Sequence, residues 1–236
     1  LGIADADRAE IEGFVTALVS TSDFTVDSVR VLTTTSTTFS GGLQDEIAVG
    51  VKLEVEGSLA SGVLTATKVK FKDSIKLESN ATVSGSTITL EGVPGVTVAA
   101  NTFTEFKNTG ATASNIAPLN ARNVRIRGRA SGATSVIASE IEDRGASDSN
   151  ADVILQGFVS STDVTNPTLS ILGVTVDTTL LSNDNFKDAN GNPIGSVEFF
   201  NALTPNGGLV KAKGRLPAAG GNALAAGILR EIELED

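Results

Sequence analysis

The chain has 236 residues, 18 basic and 28 acidic side chains and a formal net charge of -10, with no Cys, His, Met, Trp or Tyr and ten Phe as its only aromatics. Those absences exclude disulfides, thiolate nucleophiles, cysteine-ligated zinc or iron–sulfur clusters, and imidazole bases or ligands. An acidic chain with so few rings also lacks the basic groove and stacking platform of a nucleic-acid binder. Thr, Ser, Val, Gly and Ala dominate, which favours strands and turns. No stretch approaches the ~20 apolar residues of a membrane helix. The lack of easily oxidised side chains fits life outside the cell. A secreted location is therefore expected, with the periplasm as the alternative. Residues 1–10 carry no basic n-region and no long apolar run, so an exported chain is expected here in its mature form.

Residues 1–9 read as an N-terminal arm in which Leu1 and Ile3 alternate with small residues. The arm is expected either to fray or to add as a strand to an edge of a neighbouring subunit. From Glu10 the chain enters an apolar strand, E-I-E-G-F-V, with Gly13 before Phe14. The same pattern returns at Q-G-F-V with Gly157, and a looser copy begins at Ile75 with Ser79 in the Gly slot. A polar stretch closing on Phe follows each time, at Phe39, Phe106 and Phe186, which lie 26, 27 and 29 positions beyond Gly13, Ser79 and Gly157. The first of these stretches, Thr33, Thr34, Thr35, Ser36, Thr37 and Thr38, is a dense hydroxyl tract. It predicts an exposed strand or loop, with O-glycosylation as the alternative.

A charged strand ending in Gly comes next. It runs K-L-E-V-E-G over 52–57, N-V-R-I-R-G over 123–128 and L-V-K-A-K-G over 209–214. Strict alternation turns Leu53/Val55, Val124/Ile126 and Val210/Ala212 inward. The outward charges change sign: Glu54 and Glu56, then Arg125 and Arg127, then Lys211 and Lys213. Solvated strand faces explain this, and so do complementary faces that meet between subunits. A last strand is predicted over 63–71, 135–141 and 224–232.

The pattern predicts an all-β chain of three tandem, five-to-six-stranded OB-like β-barrels forming a rod. They span residues 10–74, 75–143 and 152–236. Residues 144–151 form a polar linker that either hinges or is pinned by contacts. The charge is uneven along the chain. Residues 1–74 carry six basic and eleven acidic groups, 75–150 seven and seven, and 151–236 five and ten. Such asymmetry suits head-to-tail self-association.

Catalytic chemistry is thin. Asp184, Asp188, Asn190 and Asn192 space oxygen ligands as a calcium loop does. However, Pro193 stands where such a loop needs Gly, and Phe199 where it needs Glu. An Asx-rich hairpin turn is expected instead. No pair of carboxylates is nominated as acid and base, and a sugar-cleaving groove would lack its usual Trp or Tyr platforms. No enzyme and no cofactor are expected.

The repeat resembles the bacterial domain-of-unknown-function family 5666. The matching residues are Glu12-Gly13-Phe14-Val15, Gln156-Gly157-Phe158-Val159, the Thr-x-Phe-like element, the Val-Gly-x-x-Leu-x-Val-x-Gly run over 49–57 and the close at Leu64, Ala66, Lys68 and Val69. Residues 186–194 with Phe199 and Phe200 look like a longer form of the unit. The resemblance is strongest in the first and third repeats. In the second, Ser79 and Asn80 replace Gly and Phe and predict a distorted first strand. The resemblance implies small β-barrels and an exported location, and no activity. The expected function is an exported structural protein, as the repeating subunit of an extracellular filament or surface assembly. A ligand-binding module for a cation or cationic peptide is the alternative.

Overall fold

In the computed structural model, which describes residues 5–203, 207–218 and 220–235, the period-two pattern becomes strand after strand. Repeat 1 holds β1 (Ala6–Ser20), β2 (Asp23–Val26), β3 (Val29–Leu32), β4 (Thr38–Ser40), β5 (Lys52–Ala60) and β6 (Val63–Lys72). β1 pairs β2 and β2 pairs β3, both antiparallel; β3 runs parallel to β6; β6 pairs β5, and β5 returns to β1, again antiparallel. The hydrogen bonds therefore run round a closed circuit. Val15, Phe24, Val31, Leu53, Val55, Leu64 and Val69 fill its inside.

Repeat 2 holds β7 (Ile75–Ser84), β8 (Thr87–Leu90), β9 (Thr97–Lys107), β10 (Arg122–Ala130) and β11 (Ser135–Ala146). Its circuit has the same order, β7–β8–β9–β11–β10–β7, with β9 to β11 as the parallel step. The expected distortion of its first strand is corrected: β7 is continuous from Ile75 to Ser84. The reason is a paired exchange. In repeat 1, a Cβ at Gly13 would collide with the Asp27 carboxylate, which accepts the Phe14 N–H at 3.1 Å. In repeat 2, Ser79 donates instead to the Glu91 carbonyl (2.7 Å), and the Asn80 amide binds the Glu91 carboxylate (2.8 Å).

Repeat 3 holds β12 (Asp152–Asp163), β13 (Thr168–Ile171), β14 (Val174–Asp177), β15 (Phe186–Lys187), an α-helix α1 (Gly195–Leu203), β16 (Leu209–Arg215) and β17 (Glu231–Glu235). The predicted last strand over 224–232 is corrected to Glu231–Glu235. Gly220, Gly221 and Gly227, all at positive φ, break the strand before it. Two hydrogen bonds stand in for the missing ladder: the Asp177 N–H to the Leu224 carbonyl (2.9 Å) and the Asn222 amide to the Thr175 carbonyl (2.8 Å). The helix was not expected. It buries Phe199, Phe200 and Leu203, with Phe199 edge-on to Phe186 at 5.5 Å. Repeats 1 and 2 have short 3-10 turns at this point of the chain, followed by buried Ile47 or containing buried Leu119.

Each sequence landmark has a structural cause. Phe39, Phe106 and Phe186 each lie in parallel register beside the last strand, opposite Val69, Ile141 and Ile232. Gly57, Gly128 and Gly214 each lie within a charged strand where a Cβ would overlap a carbonyl oxygen of the following segment, that of Thr65, Ile137 or Ala223. At the first two the ladder shifts register by a bulge.

Compactness groups the repeats differently from the periodicity. One unit is Leu1–Asp73 and the other is Ser74–Asp236. Repeats 2 and 3 share a single core.

Candidate functional site

The charged strand faces come first, because the sequence placed its interface candidates there. Glu54 meets Lys72 (2.9 Å) and Lys70 (3.7 Å), and Glu56 meets Lys68 (2.7 Å), all on the next strand, β6. Lys72 also holds Glu12 of β1 at 3.0 Å, and Lys52 holds the same carboxylate at 3.2 Å. Arg125 lies between Glu78 (2.8 Å) and Glu142 (3.5 Å), and Arg127 faces Glu140 at 3.8 Å. Lys211 binds Glu233 (2.5 Å) and Glu235, and Lys213 binds Glu231. The sign change between repeats is thus answered strand by strand within each repeat.

The electrostatics follow this pairing. Hydrogen bonds from Lys72 hold Glu12 and Glu54 below the ordinary carboxylate range, and the same contacts raise Lys72. Burial alone would raise Glu231, but hydrogen bonds from Lys187 and Lys213 outweigh it and the carboxyl is lowered. Lys76 shows the opposite behaviour. Burial first, and then Arg125, Arg127 and Lys211 around it, pull its pKa down.

The other sequence candidates fall as follows. Leu1 and Ile3 lie outside the described residues. Asp188 closes a tight turn: its carboxylate accepts the Asn190 and Asn192 N–H groups (2.9 and 2.8 Å) and the Asn192 amide (3.0 Å). These bonds, the Asn192 side chain first, lower its pKa. Asp184 lies in a separate 3-10 turn. Among the described residues no group of three His, Cys, Asp or Glu could hold a metal ion. In the hydroxyl tract Thr34, Thr35, Ser36 and Thr38 are exposed and Thr33 is half-buried. Thr37 is corrected from glycan candidate to internal strut. It is buried, accepts the Thr34 N–H (2.8 Å) and donates to the Ala66 carbonyl (2.6 Å). Thr104 repeats the device in repeat 2, accepting from Asn101 and donating to Ala138 (2.6 Å).

The sequence did not disclose the junction between repeats 2 and 3. β7 and β12 pair antiparallel, Glu78 with Ile154, Leu77 with Leu155 and Lys76 with Gln156. The ladder thereby continues β10–β7–β12–β16 as one sheet. The linker is pinned rather than hinged. The buried Asn80 side chain binds both the Asp148 carbonyl (2.9 Å) and the Asp148 N–H (3.1 Å). Asn80 itself was the available signal: a buried amide where the other repeats carry Phe asks for backbone partners.

Fold and junction together define a tandem-repeat, all-β protein whose second and third repeats dock strand edge to strand edge. The family model described as Domain of unknown function (DUF5666) matches residues 12–70 and 78–142, and the chain belongs to that family. The two matched stretches are repeats 1 and 2. No curated protein and no solved structure matches the chain. No helix among the described residues is long and apolar enough to cross a membrane.

Proposed function

We propose that the chain is a non-catalytic, exported structural protein that works by protein–protein contact, as the repeating subunit of an extracellular filament or surface assembly. The observation that carries this reading is the junction at Leu77 and Leu155, where two repeats of one kind meet by pairing equivalent strands. A repeat that docks on its own kind within a chain has the surface chemistry for assembly between chains. Three tandem OB-like barrels are the finer architecture we infer. The closed circuits of repeats 1 and 2, and the bridged one of repeat 3, support it. The cross-strand ion pairs leave assembly to edges and turns rather than to the charged faces.

Negative-stain electron microscopy of native material, with light scattering of the purified chain, tests the proposal. Filaments or sheets are expected. A strictly monomeric chain with no polymer in native material would overturn it. The acidic excess of residues 1–74, eleven against six, favours a second reading, a binding module for a cation or cationic peptide. Saturable binding of calcium or oligolysine to a chain that never polymerises would select that reading. Intact mass against 24.1 kDa reports O-glycans on the exposed hydroxyls of the Thr34–Thr38 stretch.

A further inference from the structure

The junction between repeats 2 and 3 defines a face, and repeat 1 carries the same face. Leu77 and Leu155 each stand two residues before their landmark positions, Ser79 and Gly157, and they face each other across the antiparallel pair. The junction is therefore a local two-fold between equivalent edges. Its flanks keep the symmetry. Gly92, in the β8–β9 turn of repeat 2, accepts the N–H of Ala223 in the β16–β17 loop of repeat 3 (2.9 Å). Gly173, in the β13–β14 turn of repeat 3, leaves room only for the methyl of Thr134, in the β10–β11 turn of repeat 2.

The equivalent positions of repeat 1 are Glu10–Glu12 of β1, the Asp27–Ser28 turn and the Ser61–Gly62 turn. Glu10, Glu12 and all four turn residues are exposed. Over this stretch β1 pairs with β5 on one side, and among the described residues no strand pairs with its other side. The Val15 N–H points to Val51 on the β5 side. Alternation then turns the N–H and C=O of Glu10 and Glu12 outward, as those of Lys76 and Glu78 are turned toward β12.

Charge selects the occupant. The internal junction sets Lys76 against Gln156 and Glu78 against Ile154, with no like charges opposite. A second copy docking on the same two-fold would set Glu10 against Glu12 twice; Lys52 and Lys72 already hold each Glu12 carboxylate, but like charges directly opposite are still destabilising. We propose that the outer edge of β1 at Glu10–Glu12 accepts an antiparallel strand from another polypeptide, one with Lys or Arg at the two alternate positions that face these carboxylates.

The full chain carrying Glu10→Lys and Glu12→Lys serves as the basic partner. Sedimentation velocity of its equimolar mixture with the unaltered chain at low salt should show a 1:1 complex that neither forms alone. The complex should weaken at least tenfold in about 1 M salt, where the screening length is ~3 Å. It should also vanish when the acceptor carries Glu12→Pro, which removes an outward N–H, and with it the carboxylate that holds Lys52 and Lys72, while leaving the backbone ladder to β5 intact. A mixture that sediments as the sum of its parts overturns the proposal. So does self-association of the unaltered chain that Glu12→Pro abolishes, because the occupant would then be a second copy. If circular dichroism shows the double variant unfolded, Glu10→Lys alone replaces it. Its new ammonium faces Glu12 of a second copy on both sides of the two-fold, so it should dimerise by itself, and a monomer overturns the idea. The measurement reads a pair and not a polymer, so its failure is distinct from failure of the filament reading.

Discussion

Ala121 holds a left-handed backbone (φ 57°) just before the charged strand of repeat 2, where repeats 1 and 3 place Gly50 (φ 86°) and Gly207 (φ 74°). A side chain in that region costs about 1–2 kcal/mol. Ala121→Gly should therefore stabilise residues 74–236 by about 1 kcal/mol, read as a higher urea midpoint at unchanged slope. The landmark glycine of the equivalent strand in repeat 1 behaves in the opposite way. Gly57→Ala drives a Cβ into the Thr65 carbonyl, which is backbone and cannot swing aside. Its cost should be about 1–3 kcal/mol, the usual range for overpacking. The sequence showed the glycine and its period. It could not show that a carbonyl of the next strand lies on top of it.

At the level of elements, the ion pairs between β1, β5 and β6 make stability depend on acid in a defined direction. Glu12 and Glu54 have folded pKa values below the ordinary 4.5. Their contribution is present above that value and is lost as pH falls through the lowered folded values. Lys72→Gln removes the shared cause. The gap in urea midpoint between parent and variant should be constant above about pH 5 and should close toward about pH 2; a gap that widens in acid would contradict the assignment. Alternation made the inward residues legible: Leu53, Val55, Val124, Ile126, Val210 and Ala212 are all buried. Strand existence was legible for the same reason. The charge pattern was visible too, but its partners were not, because a sequence shows which residues share a strand face and not which strand lies alongside. The helix at Gly195–Leu203 was hidden behind the Asx turn before it, and the last strand of repeat 3 behind glycines that read as ordinary turns.

Across the whole molecule, the shared core of repeats 2 and 3 and the Asn80 clamp make residues 74–236 one cooperative body. Asn80→Ala leaves both backbone groups of Asp148 without their side-chain partner, at a cost of about 1–3 kcal/mol. Hydrogen exchange in denaturant should show repeats 2 and 3 of the variant losing protection together, at a lower concentration than in the parent. Loss of repeat 2 alone would mean that the junction does not couple them.

The same clamp has a consequence for proteases. Residues 144–151 read as a soft polar connector, the kind of stretch that is nicked first. Yet β11 runs on through Ala146, and Asp148 is held by its N–H and its carbonyl. A protease needs a segment that peels away from the body, and this one is anchored at its middle, so Arg144 should be a slow site for trypsin. Durability at the seam most exposed by composition is thus carried by the β10–β11 ladder, which runs on into it, and by one buried amide.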